Sequence, residues 1–111
     1  MTLLKSIFLL FEILIVSFSF IAQDPCDADH NVLLTDFAFT PSTLEILPGE
    51  TVAFINIQGS HSVNGVNSSV SGDSFNNPVE FSFPESEGTT QGTCMGVFTF
   101  DVPGTYNFDC G

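Results

Sequence analysis

The chain has 111 residues, enough for one small domain, with a single Lys, no Arg, 13 acidic residues and a net charge of −12. With one cationic side chain there is nothing to neutralise phosphates, and nucleic acid is excluded as a partner. The acidity suits a soluble exported protein kept apart by self-repulsion, or one steered toward a basic partner.

The first segment, MTLLKSIFLLFEILIVSFSFIAQ, carries Lys5, then an apolar run, then Ala22. It is expected to be a secretory signal peptide over 1–22, leaving 23–111 as the mature domain. Glu12 interrupts the run and Phe20 is bulky for its place before the cut. The rival, an uncleaved membrane anchor, places that carboxylate near the centre of a spanning helix, where it is costly. Gln23-Asp24-Pro25 before Cys26 lacks the residues of a lipoprotein anchor. Three cysteines in an exported chain invite one disulfide and one leftover thiol.

After residue 23 the pattern is period two with turn punctuation and no helical periodicity. Residues 31–39 alternate, with Leu33, Thr35, Phe37 and Phe39 on one side. Residues 43–47 place Leu44 and Ile46 on one face, Pro48-Gly49 turns the chain, and 51–57 presents Val52 and Phe54 together. A polar segment runs from 58 to 80. Short strands are expected at 79–83 and 94–102, the second with Phe98, Phe100 and Val102 in register, and residues 85–92 read as loop. After the Pro103-Gly104 turn, Tyr106, Phe108 and Cys110 share a face. This is an all-β sandwich or barrel. Nine of the 13 phenylalanines fall after residue 23 and are the main core material.

Chemistry-bearing residues are few. His30, beside Asp27 and Asp29, reads as a solvated terminal residue. His61 lies in NIQGSHSVNG, just past an apolar strand, and by itself reads as a surface histidine. Cys110, at the end of a strand whose inner face is Tyr106 and Phe108, changes that reading. A thiolate paired with an imidazole from another loop is half of a type 1 copper site, which uses two imidazoles and a thiolate in a plane with a weak axial thioether.

Taken in order, FAFTPSTLEILPGETVAFIN, GSHSVNG, SGDSF and FTFDVPGTYNFDC resemble the cupredoxins of the plastocyanin and azurin kind, through nearly all of 31–111. The resemblance implies a Greek-key β-sandwich, a copper cofactor, and single-electron transfer with no substrate and no catalytic base. It implies that His61 and Cys110 are metal ligands. Ser62 falls where the family often has a polar residue tying the two ligand loops together. In the family a second histidine, a methionine and one more strand follow the cysteine, whereas this sequence ends at Gly111. The expectation is therefore the front part of a longer domain, lacking its last strand. The copper site is then incomplete in this chain, which should be marginally stable and bind copper weakly or not at all. A naturally short protein that has lost its site is the alternative. Met95, a whole strand before Cys110, reads as a half-buried strand residue rather than an axial ligand.

With Cys110 assigned to the metal, Cys26 and Cys94 are expected to pair. A Cys94–Cys110 bond is the competitor and would consume the ligand. Asn67-Ser68-Ser69 fits a glycosylation sequon of a kind frequent by chance in such loops. The leading function is an exported (periplasmic or secreted) monomeric electron carrier, docking on a basic redox protein through its acidic surface. A non-redox β-sandwich binding or adhesion module of the same fold is the second reading. One copper domain of a larger oxidase or reductase ranks last.

Overall fold

The computed structural model describes residues 26–111; the segment 1–22, expected to be a signal peptide, lies outside the described residues. The architecture is all-β, with six strands: β1 (His30–Thr35), β2 (Ala38–Thr40), β3 (Glu50–Asn56), β4 (Ser60–Asn64), β5 (Ser82–Glu87) and β6 (Thr93–Phe100). One sheet has the order β2-β1-β3-β6, and a second pairs β4 with β5. β1 and β3 run parallel; every other pair is antiparallel.

The central strand is β3, and its sequence shows why. Thr-Val-Ala-Phe-Ile is a continuous β-favouring run rather than an alternating one, as suits a strand buried on both faces. Val52 and Phe54 face the main core; Ala53 and Ile55 face a smaller cluster with Cys26, Ala28, Leu33 and Ile57. The main core lies between the sheets and unites Val32, Leu34, Val52, Phe54, Val63, Phe81 and Phe100. Phe81 is its hub, with ring centroids 4.9 Å from Phe98, 5.5 Å from Phe100 and 6.0 Å from Phe108. Each such aromatic pair adds about 0.5–1.5 kcal/mol beyond area burial.

Cys26 and Cys94 form a disulfide, with Cα atoms 5.4 Å apart, tying the segment before β1 to β6. The bond closes 68 residues of chain, which in the chain-entropy model is worth about 4 kcal/mol. Cys110 is the free thiol.

Several boundaries depart from expectation. Residues 31–39 are two strands, not one, because Phe37 adopts a φ of 68° and turns the chain. The expected face is not kept: Val32 and Leu34 enter the main core, Leu33 joins the smaller cluster, Phe37 is fully exposed, and beyond the turn Phe39 packs on the main core. Residues 43–47 form no strand, although Ile46 still packs on the core. The strand expected at 79–83 begins at Ser82 and runs to Glu87, taking in the start of the expected loop, because its partner β4 is long enough to pair that far. β4 itself lies in the segment read only as polar: three of its five residues are Ser or Asn, so no apolar alternation marks it. β6 stops at Phe100, leaving Val102 exposed. The segment 104–110 is not a regular strand; it makes one bridge, Asp109 to Asn64, although Tyr106 and Phe108 pack on the core as expected. His30 is not simply solvated, since its Nε2 lies 2.9 Å from Glu50 Oε1.

Replacing Phe81 by Ala should lower unfolding free energy by about 3–5 kcal/mol, whereas Phe37→Ala should change it by no more than about 0.5 kcal/mol. Denaturant midpoints compare the two, and equal losses would contradict this assignment of the core.

Candidate metal centre

Two segments meet at one end of the molecule. The first is the β3–β4 connection. Asn56, the last residue of β3, is fully buried, and its side chain organises the loop that follows. Its Nδ2 donates to the Gly59 carbonyl at 2.9 Å and to the Ser86 carbonyl at 3.0 Å, and its Oδ1 accepts from the Gln58 amide at 3.1 Å. Gly59 takes a φ of 76°, which reverses the chain into β4. His61 is the second residue of β4. Strand alternation puts it on the face of buried Val63, and its side chain is 14% exposed.

The second segment is 105–111. Tyr106 and Phe108 anchor it in the core, and the Tyr106 hydroxyl donates to the Val102 carbonyl at 2.6 Å. Asn64 and Asp109 exchange two backbone hydrogen bonds, of 2.7 and 3.0 Å. Asn77 bridges both segments: its Nδ2 donates to the Gly65 and Asn107 carbonyls, and its Oδ1 accepts from the Asn107 amide. The Ser69 amide donates to Asp109 Oδ2 at 2.9 Å, and its hydroxyl lies 3.1 Å from the Cys110 carbonyl.

With both segments fixed, Cys110 Sγ stands 3.9 Å from His61 Nδ1. The Ser62 amide points at the sulfur from 3.4 Å, and the Ser62 hydroxyl receives the Gly111 amide at 3.1 Å and reaches the Gly111 carbonyl at 2.9 Å. Ser62 thus bonds to both Cys110 and Gly111 and joins the two segments. On its far side the imidazole meets Asp36 from the β1–β2 turn, with Nε2 3.2 Å from Oδ1. An open cleft of about 430 Å³ adjoins the pair, walled by Leu34, Phe37 and Phe39.

Burial pushes the Cys110 thiol up, but the Ser62 amide, the His61 ring and the Ser62 hydroxyl outweigh it, and the thiol ionises below its ordinary range. The Cys110 sulfur raises the imidazole above its ordinary value; burial opposes this and Asp36 reinforces it. The two directions agree: the sulfur favours the anion and the ring favours the cation.

The donor set suits a soft or borderline metal. A metal held in a trigonal plane by imidazole and thiolate, with bonds of roughly 2.0 and 2.3 Å, separates the donor atoms by about 3.7 Å. The observed 3.9 Å is within a small adjustment of that. Among the described residues no group of three or more His, Cys, Asp or Glu side chains is placed to hold a metal, so a third in-plane ligand is not found there. Met95 packs against the main core, half-buried as expected.

Sequence reasoning singled out His61, Ser62 and Cys110, and the structure brings all three together. It missed Asp36, Asn56, Gly59 and Ser69. For Asn56 and Gly59 a signal existed, since a polar residue closing an apolar strand, followed by Gln-Gly, marks a side-chain-organised turn. For Asp36 there was none, because its role follows from the turn at Phe37, which the alternating pattern concealed.

Because the thiolate is the nucleophile, alkylation of Cys110 by iodoacetamide should reach half its limiting rate at a lower pH than that of a free cysteine. His61→Ala should move that midpoint upward by removing a donor and a nearby cation. A wild-type midpoint matching free cysteine would contradict the pairing.

No family model, no curated protein and no solved structure matches this chain.

Proposed function

We propose that the chain is part of a cupredoxin-like type 1 copper protein that carries single electrons, with His61 and Cys110 as two of the copper ligands and the site otherwise incomplete among the described residues. The observation that carries this reading is the convergence of an imidazole and a thiolate, 49 residues apart in sequence, to 3.9 Å at one end of two facing sheets. The mixed β2-β1-β3-β6 sheet, with its parallel β1–β3 pair, opposite β4–β5 supports a Greek-key sandwich of that family.

The metal, when bound, supplies a centre that alternates between Cu(I) and Cu(II). The rest is done by the chain. His61 is held in the β4–β5 ladder and Cys110 is tied to the same strand by the Asn64–Asp109 bridge, so neither donor must move far between oxidation states. The Ser62 amide donates to the sulfur and draws charge from it. A donor at a thiolate stabilises the reduced, electron-rich state and raises the potential. The open wall of Phe37 and Phe39 beside the pair gives a low-polarity approach. Residues 26–111 include no Lys or Arg, so the surface potential is negative and would steer a basic redox partner.

Export fits the same picture. The Cys26–Cys94 disulfide is compatible with an oxidising compartment, and no helix among the described residues is long and apolar enough to cross a membrane.

Cu(I), which soft thiolate ligands select, is the direct probe of a two-donor site. Titration against a chromogenic Cu(I) chelator should show one bound equivalent, weakened at least about tenfold by Cys110→Ser and by His61→Ala. Variants that bind Cu(I) as tightly as wild type would overturn the assignment of His61 and Cys110 as copper ligands and leave a non-redox binding module as the better account.

A further inference from the structure

Asp36 lies outside the motifs that carry the sequence resemblance, yet it makes the only hydrogen bond described for His61 Nε2. We propose that Asp36 is a positioning residue: its carboxylate accepts the Nε2–H of His61, so that when the ring gives up its other proton it is the Nδ1 lone pair that is left facing Cys110 Sγ.

Three independent features of the backbone serve this contact. The first is the β1–β2 turn. Phe37 sits at a φ of 68°, in the left-handed region, and its side chain is fully exposed. A bulky apolar residue there is strained and gains nothing from burial, and such strain persists only where the surroundings hold it. Here the turn swings Asp36 across to the β3–β4 loop. The second feature is a lock on that turn, since the Asp36 amide donates to Gln58 Oε1 at 3.1 Å. Gln58 directly precedes Gly59 and is itself held by Asn56. The third is the space above Gly59. A Cβ on Gly59 would collide with Asp36 Oδ1 and lie 3.2 Å from His61 Nε2. The glycine therefore leaves open the gap through which carboxylate and imidazole meet.

The chemistry follows from the donor inventory. A neutral imidazole has one N–H and one lone pair, and a carboxylate can only accept. Placed at Nε2, Asp36 puts the proton there and leaves Nδ1 free as a donor atom. A carboxylate behind a ligating histidine also makes the ring a stronger base toward a metal. The Asp36 side chain is 49% exposed, so its contribution is directional more than it is a source of stability.

The effect on a metal rests on the copper reading; the tautomer does not, and the test separates them. In a Cys110→Ser background, which removes the competing thiolate, long-range ¹H–¹⁵N spectra at a pH where His61 is neutral report the tautomer without any metal. The parent should be in the Nε2–H form. Adding Asp36→Asn, nearly isosteric but able to donate, should shift the ring toward Nδ1–H, and Asp36→Ala should leave a mixture. With Cys110 restored, both Asp36 variants should lose about tenfold in Cu(I) affinity. A tautomer unmoved by either substitution, in protein with an unchanged denaturant midpoint, would overturn the proposal. Tautomers that move as stated while Cu(I) affinity stays the same in the Asp36, His61 and Cys110 variants would uphold the positioning role and reject the copper reading.

Discussion

The two backbone hydrogen bonds between Asn64 and Asp109 join the halves of the candidate centre. Without them Cys110 would trail from the end of an irregular segment. With them the sulfur is set beside β4 and within reach of His61. The bridge is not self-sufficient. Tyr106 and Phe108 bring the segment into register by burying their rings against Phe100, Phe54 and Phe81. Asn77 then bonds the Asn107 backbone in both directions. Core packing, a side-chain clamp and a single ladder contact together place one sulfur atom.

Charge shapes the same region. The described residues hold no Lys or Arg, so His30 and His61 are the only side chains that can become cationic, and each faces a carboxylate, Glu50 and Asp36 respectively. The other ordered carboxylates rely on backbone donors. Asp29 accepts from the Thr51 amide, Glu50 also accepts from the Leu47 amide, and Asp109 accepts from the Ser69 amide. These bonds hold Asp29 and Glu50 below their ordinary ionisation range, so they remain charged where an unfolded chain begins to protonate. Among the described residues, which lack Lys and Arg, N–H groups thus serve the carboxylates as counter-charges, and the imidazole beside Cys110 is the electrostatic contrast at the site.

The sequence made much of this visible. The alternation of Phe98 with Phe100 and of Tyr106 with Phe108 marked true core faces, because aromatic residues at period two have few other places to go. The pairing of Cys26 with Cys94 was reached by setting Cys110 aside for a metal, and the meeting of His61 with Cys110 came from a resemblance in motif order. What stayed hidden depended on backbone conformation. A left-handed Phe37 is disfavoured for a bulky residue, so nothing in the pattern advertised the turn that splits residues 31–39 and delivers Asp36. β4 escaped notice because Ser60, Ser62 and Asn64 are poor strand markers; it is held by its ladder to β5 and by Val63 in the core. The expected strand at 43–47 failed for the opposite reason. Leu44 and Ile46 share a face in the sequence pattern, but Ile46 reaches the core from a segment that forms no strand.

The central claim is that Nδ1 of His61 and Sγ of Cys110 bind one metal ion together. Copper X-ray absorption on the Cu(I)-loaded chain tests it most directly, because sulfur and nitrogen scatterers are distinguished by element and distance. The account predicts one sulfur and at least one imidazole nitrogen around each copper, with the imidazole signal lost in His61→Ala. A shell without sulfur, or one of two sulfurs from paired chains with no imidazole, would contradict it.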